Sequence, residues 1–167
     1  MRILPTDRGL RLIVACDGAA RGNPGPAGIG VHITDGRGRV RAQIARGIGV
    51  ATNNVAEYTA AIEGFTRAKE LGATDVLLRS DSHLLIEQLS GRFKVKNPTL
   101  QRLHTDVRRL AAAFRRVGYE HVPRELNREA DRLANVGVDE WLAGEGAGWE
   151  PPDPPPRLWD GPGSDGE

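Results

Sequence analysis

The sequence predicts an α/β domain with a five-stranded mixed sheet, in which three antiparallel strands come first and parallel strands are added later. The order of predicted elements, β-β-β-α-β-α-α-β-α, is typical of such a domain. The apolar stretches Arg11–Cys16 and Val76–Leu78 indicate strands that are buried on both faces. A helical segment between them supplies the crossover that parallel pairing needs.

Turn-forming residues separate the strands of the first half. The first strand, Arg11–Cys16, ends at Asp17, and the following GAARGNPGPAG is rich in Gly and Pro, so we predict a turn there rather than a strand. Ile29–Thr34 alternates in hydrophobicity and predicts the second strand. The hairpin turn DGRGR then leads into a third strand at Val40–Val50.

The second half is predicted to begin with a long helix. Asn53–Leu71 has apolar residues at helical spacing, with Asn53 or Asn54 as its N-cap and Gly72 at its end. A strand at Asp75–Ser80, a short helix at Ser82–Leu89 and a basic loop at Gly91–Lys96 follow. The next helix runs to about Val117, with Asn97 as its N-cap and Pro98 at its first position. A strand at Tyr119–Val122 and a helix at Arg128–Leu142, which Asn127 caps, complete the domain.

Composition indicates one domain with a flexible end. We expect an extension at residues 1–9, the domain at 10–143 and a disordered acidic tail at 144–167, where Pro and Gly dominate. The single cysteine, Cys16, excludes an internal disulfide, and no apolar run approaches the roughly 20 residues that cross a bilayer. We therefore expect a cytoplasmic monomer with no membrane partner and no secretory signal.

The net charge of +1 is distributed unevenly. Between Gly91 and Gly118, Asp106 is the sole acid, whereas the basic residues there are Arg92, Lys94, Lys96, Arg102, Arg108, Arg109, Arg115 and Arg116. Beyond Trp141 the acidic residues dominate. A basic stretch beside an acidic tail is typical of a nucleic-acid-binding protein, although a solvated helix face has the same pattern.

Acidic residues stand where predicted elements begin or end. Asp17 and Asp81 each follow a buried strand, Glu57 lies in the first turn of the long helix, and Asp131 lies in the first turn of the last helix. If the two strands are parallel neighbours, their carboxyl ends meet at one sheet edge, where sites of α/β proteins are built. Each acid also fits a role as a cap or turn residue, so only their coincidence indicates a site.

A cluster of carboxylates predicts a site for divalent cations. Packed carboxylates repel one another and would be driven toward protonation without a cation. Their oxygens prefer hard ions, so we expect two Mg²⁺ ions, with Mn²⁺ as a substitute. Two such ions could hold a phosphodiester, activate a water molecule and stabilise the leaving oxygen.

Four blocks, CDGAARGNPGPAGIG, TNNVAEYTAAIEG, RSDSHLLIEQLSG and NREADRLAN, occur in this order from about Leu10 to Trp141. Together they resemble type 1 ribonuclease H, which implies a ribonuclease H-like fold. The resemblance implies that Asp17 contacts both metal ions, with Glu57 and Asp81 completing one metal site and Asp131 the other. It implies that Gly18, Asn23 and Asn54 contact the minor groove and the RNA 2′-hydroxyls, and that Thr52 and Asn23 grip a phosphate of the DNA strand.

The chain departs from the best-known bacterial pattern of the family in two places. The long basic insertion is replaced by SGRFKVKNPT, in which we expect Lys94 and Lys96 to bind the hybrid. The loop that carries a catalytic histidine is shortened. Arg124 resembles its replacement in the short-loop branch of the family, whereas we expect His121 to be a packing residue of the last strand.

The sequence thus predicts an endonuclease that hydrolyses the RNA strand of RNA–DNA hybrids and leaves 5′-phosphate and 3′-hydroxyl ends. Its partner is the RNA–DNA hybrid. Two alternatives are a non-catalytic module that binds hybrids or double-stranded RNA, and another nuclease on the same fold.

Overall fold

The computed structural model describes residues 9–153, and their helices and strands follow the predicted order. The strands are β1 (Arg11–Ala20), β2 (Gly25–Asp35), β3 (Val40–Ala51), β4 (Asp75–Ser80) and β5 (Arg116–His121). The helices are α1 (Asn53–Glu70), α2 (His83–Leu89), α3 (Pro98–Ala111) and α4 (Arg128–Ala143), with a short 3-10 helix at Arg124–Leu126 before α4.

The predicted mixed five-stranded sheet is confirmed, with the strand order β3-β2-β1-β4-β5. The pairs β1–β2 and β2–β3 are antiparallel, whereas β1–β4 and β4–β5 are parallel. Arg11 pairs with Asp75 and Ala15 with Arg79. Continuing this register by two residues sets Asp17 beside Asp81, at the edge where β4 ends.

The main core lies between one face of the sheet and the helices α1 and α3. Its fully buried side chains include Leu12, Val14, Phe65, Leu78 and Val107. Helix α4 covers the other face across β2 and β3. A Cβ atom at Gly30 would lie 2.0 Å from the carbonyl oxygen of Ala130 in α4, so a glycine is required for this close approach.

The glycine- and proline-rich segment after Asp17 is mostly strand, so the prediction of an extended turn was wrong. Gly18 pairs with Ile29 and Ala20 with Ala27, and the turn is confined to residues 21–24. The backbone hydrogen bonds of the β1–β2 ladder outweigh the low strand propensity of these residues.

Helix α3 ends at Ala111, earlier than the predicted end near Val117. Phe114 turns into the core, and β5 begins at Arg116 rather than at Tyr119, because Arg116 pairs with Asp75. Tertiary strand pairing therefore overrides the helical propensity of the segment.

The helix caps were predicted in part. Asn97 caps α3 through a hydrogen bond from Leu100 N to its Oδ1, as predicted, with Pro98 in the first turn. The N-cap of α1 is Thr52 and not Asn53 or Asn54, because its Oγ1 accepts a hydrogen bond from the backbone N–H of Val55 at 3.2 Å.

Residues after α4 continue as turns. The backbone N–H of Gly146 donates to the carbonyl oxygen of Trp141 at 2.6 Å, and that of Trp149 donates to Gly146 at 2.9 Å. The rest of the predicted tail, residues 154–167, and residues 1–8 of the predicted extension lie outside the described residues. No helix within residues 9–153 combines the length and the apolar character needed to cross a membrane.

Candidate active site

Three carboxylates meet at the edge of the sheet where β4 ends beside β1. Asp17 lies on β1, Asp81 follows β4, and Glu57 projects from α1. One oxygen atom from each side chain lies within 4.8 Å of the other two. Glu57 is the fifth residue of α1, so it lies in the second turn and not in the predicted first turn.

Asp131 adjoins this cluster on the side of Asp17. It lies in the first turn of α4, its side chain is 32% exposed, and it lines the same cleft as the other three acids. Arg124, in the 3-10 helix, also lines the cleft, and its Nη2 lies 3.7 Å from Oδ1 of Asp131. The structure therefore brings together all five residues predicted to be catalytic.

Burial and mutual repulsion determine the charge of the cluster. Asp17 and Glu57 are each 5% exposed. Burial, followed by the charge of Asp81 and the close approach of Asp131, raises the pKa of Asp17 to about 8. Burial and then the charges of Asp17 and Asp81 raise the pKa of Glu57 well above its ordinary value. Without a cation, the cluster therefore retains protons at neutral pH.

The cluster has the properties of a site for a hard divalent cation. Among the described residues, no Arg, Lys or His side chain comes within 4.0 Å of a carboxylate oxygen of Asp17, Glu57 or Asp81. Buried carboxylates without a protein cation are costly unless a proton or a metal ion neutralises them. An all-oxygen donor set fits Mg²⁺ and Mn²⁺ better than softer metals.

Gly18 allows α1 to approach β1. A Cβ atom at Gly18 would lie 2.3 Å from the carbonyl carbon of Ala56 and 2.4 Å from the nitrogen of Glu57. The N–H of Gly18 donates to Oε2 of Glu57 at 3.1 Å. Gly18 therefore determines both the position of α1 and the orientation of the Glu57 carboxylate. It lies in β1 and not in the predicted turn.

The predicted polar residues gather at the start of α1. Oδ1 of Asn23 accepts a hydrogen bond from the N–H of Asn53 at 3.0 Å, which ties the β1–β2 turn to the helix. Thr52 is the adjacent N-cap, and Asn54 is exposed in the first turn. The structure thus brings Asn23, Thr52 and Asn54 together beside the cleft.

Lys94 and Lys96 lie elsewhere. Both are exposed in the loop between α2 and α3 and are not among the residues that line the cleft. The cleft measures about 390 Å³ and includes polar residues that sequence reasoning had not selected as site residues: Arg21, Asn53, Ser82 and Asn135. Asn135 could have been found, because it stands one helical turn after Asp131.

His121 is not the packing residue that the sequence suggested. It is exposed at the end of β5, beyond the packed core, and its Nε2 lies 3.2 Å from the backbone carbonyl oxygen of Asp81. Asn127 also differs from its prediction, since its side chain makes no capping hydrogen bond to α4. Its Nδ2 donates instead to the carbonyl oxygen of Cys16.

Comparison with known proteins gives consistent matches over the part of the chain that the structure describes. A family model described as reverse transcriptase-like matches residues 15–137. Ribonuclease HI of Halobacterium salinarum is 41% identical over 138 residues, which cover 83% of this chain and 69% of that protein. A bifunctional protein of Mycobacterium tuberculosis is 48% identical over 131 residues, which cover 78% of this chain but 36% of that relative.

Solved structures agree with these matches. The N-terminal RNase H domain of the same mycobacterial protein is similar with a TM-score of 0.76 and covers 77% of this chain and 99% of the solved one. LC11-RNase H1, solved in complex with an RNA/DNA hybrid, is 40% identical with a TM-score of 0.75 and covers 78% of this chain and 99% of its own.

Proposed function

This chain belongs to the ribonuclease HI family, and we propose that it is an endonuclease that hydrolyses the RNA strand of RNA–DNA hybrids. The observation that carries the proposal is the cluster of the buried Asp17 and Glu57 with the half-buried Asp81, which has no protein cation within 4.0 Å among the described residues. The similar LC11-RNase H1 was solved with an RNA/DNA hybrid, which supports the substrate class.

We assign the metal-binding role to Asp17, Glu57, Asp81 and Asp131. Their oxygen donors suit two Mg²⁺ ions, and Mn²⁺ is the expected substitute. When bound, such ions polarise a phosphodiester, lower the pKa of a water molecule and stabilise the leaving oxygen. Binding requires the carboxylates to lose the protons that burial and repulsion otherwise retain.

The expected reaction is an in-line displacement at phosphorus. The oxygen of a water molecule loses a proton and forms a bond to phosphorus, the bond from phosphorus to the 3′ oxygen breaks, and the 3′ oxygen takes up a proton. The products are a 5′-phosphate and a 3′-hydroxyl. Arg124 lies at the edge of the cleft beside Asp131, where its permanent charge stabilises the leaving oxygen electrostatically.

We assign substrate selection to the polar residues around α1. Asn23 and Thr52 use their oxygens as acceptors in the hydrogen bonds to Asn53 and Val55, so each keeps a donor group for a DNA phosphate oxygen. Gly18 and Asn54 are the proposed contacts to the minor groove and the RNA 2′-hydroxyls. Lys94 and Lys96, outside the cleft, are proposed to contact the phosphate backbone at a distance from the cut.

A panel of labelled substrates tests this function. The chain is incubated with an RNA–DNA hybrid, double-stranded RNA, double-stranded DNA and single-stranded DNA, in Mg²⁺ and in EDTA, with Asp17→Asn as a matched control. We expect the wild type to cleave the RNA strand of the hybrid in Mg²⁺ and to leave the other substrates intact. We expect no cleavage in EDTA and none by Asp17→Asn. Tight hybrid binding without cleavage would favour a binding module, and equal cleavage of single-stranded DNA would favour another nuclease on this fold.

A further inference from the structure

We propose that three exposed rings beside the cleft, those of His121, His83 and Phe93, bind unpaired nucleotides of a strand that leaves the hybrid. We refer to these three residues as the aromatic strip. The inference rests on the proposed function and adds a substrate feature to it, namely a preference for hybrids that adjoin single-stranded nucleic acid.

The three rings form a continuous row. The ring centroids of His121 and His83 are 5.5 Å apart with an interplanar angle of 75°, and those of His83 and Phe93 are 5.7 Å apart at 87°. Both contacts are edge-to-face, so in each pair the ring that presents its edge keeps both of its faces free of its partner. Phe93 is 45% exposed, and both histidines are exposed. A row of exposed rings is unlike the single scattered apolar residues that are normal on protein surfaces.

The row begins at the cleft. Nε2 of His121 lies 3.2 Å from the carbonyl oxygen of Asp81, and His83 follows Ser82, which lines the cleft. The row ends at Phe93, in the loop that carries Lys94 and Lys96. A strand that follows the rings therefore passes from the carboxylates to the basic loop.

The charges along this path are compatible with a polyanion. Glu87, an acid beside His83, is held by Arg92 in two hydrogen bonds of 2.6 and 2.8 Å. Its Oε1 also lies 3.7 Å from Nε2 of His83. Lys94 and Lys96 make no ion pair with the described residues, so their charges remain for phosphate groups.

The chemistry of the rings selects unpaired nucleotides. Within a duplex, the face of each base is covered by its neighbours, so an aromatic side chain finds no base face to stack upon. Bases become accessible where a strand leaves the helix, and exposed aromatic rings beside basic residues are the usual platform for them. Three rings in a row suit consecutive nucleotides rather than a single base.

Kinetics on paired substrates test the aromatic strip. One substrate is a blunt RNA–DNA hybrid, and the others carry a short single-stranded extension at either end of either strand. We expect Phe93→Ala to raise KM roughly 5- to 10-fold for at least one extended hybrid. It should leave KM for the blunt hybrid, and kcat for the blunt and the extended hybrids, within about twofold of the wild-type values. Phe93→Trp should preserve the wild-type values.

The matched control is Val40→Ala, which removes an exposed apolar side chain that is 55% accessible at the opposite end of the sheet. It should leave KM unchanged for the blunt hybrid and for the extended hybrids. No effect of Phe93→Ala on any extended hybrid would overturn the inference, as would an equal rise in KM for blunt and extended hybrids, since the latter indicates a duplex contact.

A binding measurement separates this inference from the proposed function. Fluorescence anisotropy with labelled single-stranded RNA and DNA, in EDTA, requires no catalysis. Weaker binding by Phe93→Ala than by Val40→Ala supports the aromatic strip even if the wild type cleaves no hybrid. The absence of cleavage would refute the nuclease proposal but not the aromatic strip. Identical binding by the two variants would contradict the strip whatever the cleavage result.

Discussion

The Nδ2 atom of Asn127 donates a hydrogen bond of 3.0 Å to the carbonyl oxygen of Cys16, although 111 residues separate the two along the chain. Cys16 precedes Asp17 on β1, and Asn127 precedes α4, which carries Asp131 in its first turn. Asn127 is 2% exposed. The bond therefore joins the two elements that place Asp17 and Asp131 on either side of one cleft.

We predict that Asn127→Ala lowers both the stability and the turnover of the enzyme. The substitution removes the buried hydrogen bond to the carbonyl oxygen of Cys16, which lowers the free energy of unfolding by about 1–3 kcal/mol. Because Asp131 loses its fixed position relative to Asp17, kcat should fall more than KM rises. Denaturant unfolding and steady-state kinetics check both effects. An activity loss fully explained by unfolded protein would contradict the positioning role.

The metal-free protein should become less stable as pH rises, and Asp17→Asn should remove part of this effect. The pKa of Asp17 is raised from an ordinary 3.8 to about 8 by burial, Asp81 and Asp131. A carboxyl with a raised folded-state pKa contributes stability that is complete below its unfolded pKa and is lost as pH rises through the folded pKa. The loss therefore falls between about pH 4 and pH 8.

Thermal unfolding in EDTA across this range measures the difference. At pH 8, Asp17→Asn should melt at least about 3 °C above the wild type, since it removes a buried charge without changing shape. The gap should narrow toward pH 5, where the wild-type carboxyl is protonated. A variant that melts below the wild type at pH 8 would refute this account of the cluster.

Gly18→Ala should destabilise the fold. The added Cβ atom would lie 2.3 Å from the backbone of Ala56, which cannot move without displacing α1. We expect a loss of about 1–3 kcal/mol, together with lower activity because Glu57 moves with the helix. Gly36→Ala is the matched control, since a Cβ there meets nothing within 4 Å. Equal unfolding free energies for the two variants would disprove the close-approach argument.

Arg124→Ala should slow turnover more than His121→Ala does. Arg124 lines the cleft and lies 3.7 Å from Asp131, whereas His121 reaches Asp81 only at its backbone carbonyl oxygen and does not line the cleft. We expect kcat to fall roughly 10- to 100-fold for Arg124→Ala and Arg124→Lys to recover part of the loss. Single-turnover rates check the order, and the reverse order would assign the catalytic role to the histidine.

Sequence reasoning was most successful where hydrophobic pattern and strand order determine position. The parallel pairing of β1 and β4 follows from two buried strands with a helix between them, and it alone brings Asp17 near Asp81. It was less successful where long-range contacts override local preference. Gly18 is in a strand because β2 pairs with it, and the segment after Ala111 leaves the helix because β4 pairs with β5.

Side-chain partners were the least predictable feature. Asn127 has the position of a cap, yet it bonds to a carbonyl on a strand that is distant in sequence. His121 has the pattern of a packed strand residue, yet it lies at the sheet edge beyond the core. Both outcomes depend on which elements meet in three dimensions, and neither the local spacing nor the residue type contains that information.

Calorimetric titration with Mn²⁺ tests most directly whether the acidic cluster is a metal site. At pH 7 we predict binding by the wild type with release of protons, an affinity that rises with pH up to about pH 8, and strongly reduced binding by Asp17→Asn. Glu63→Gln, at an exposed pair with Arg46 outside the cleft, should bind like the wild type. Wild-type protein that takes up no Mn²⁺, or an Asp17→Asn variant that binds it equally well, would contradict the account.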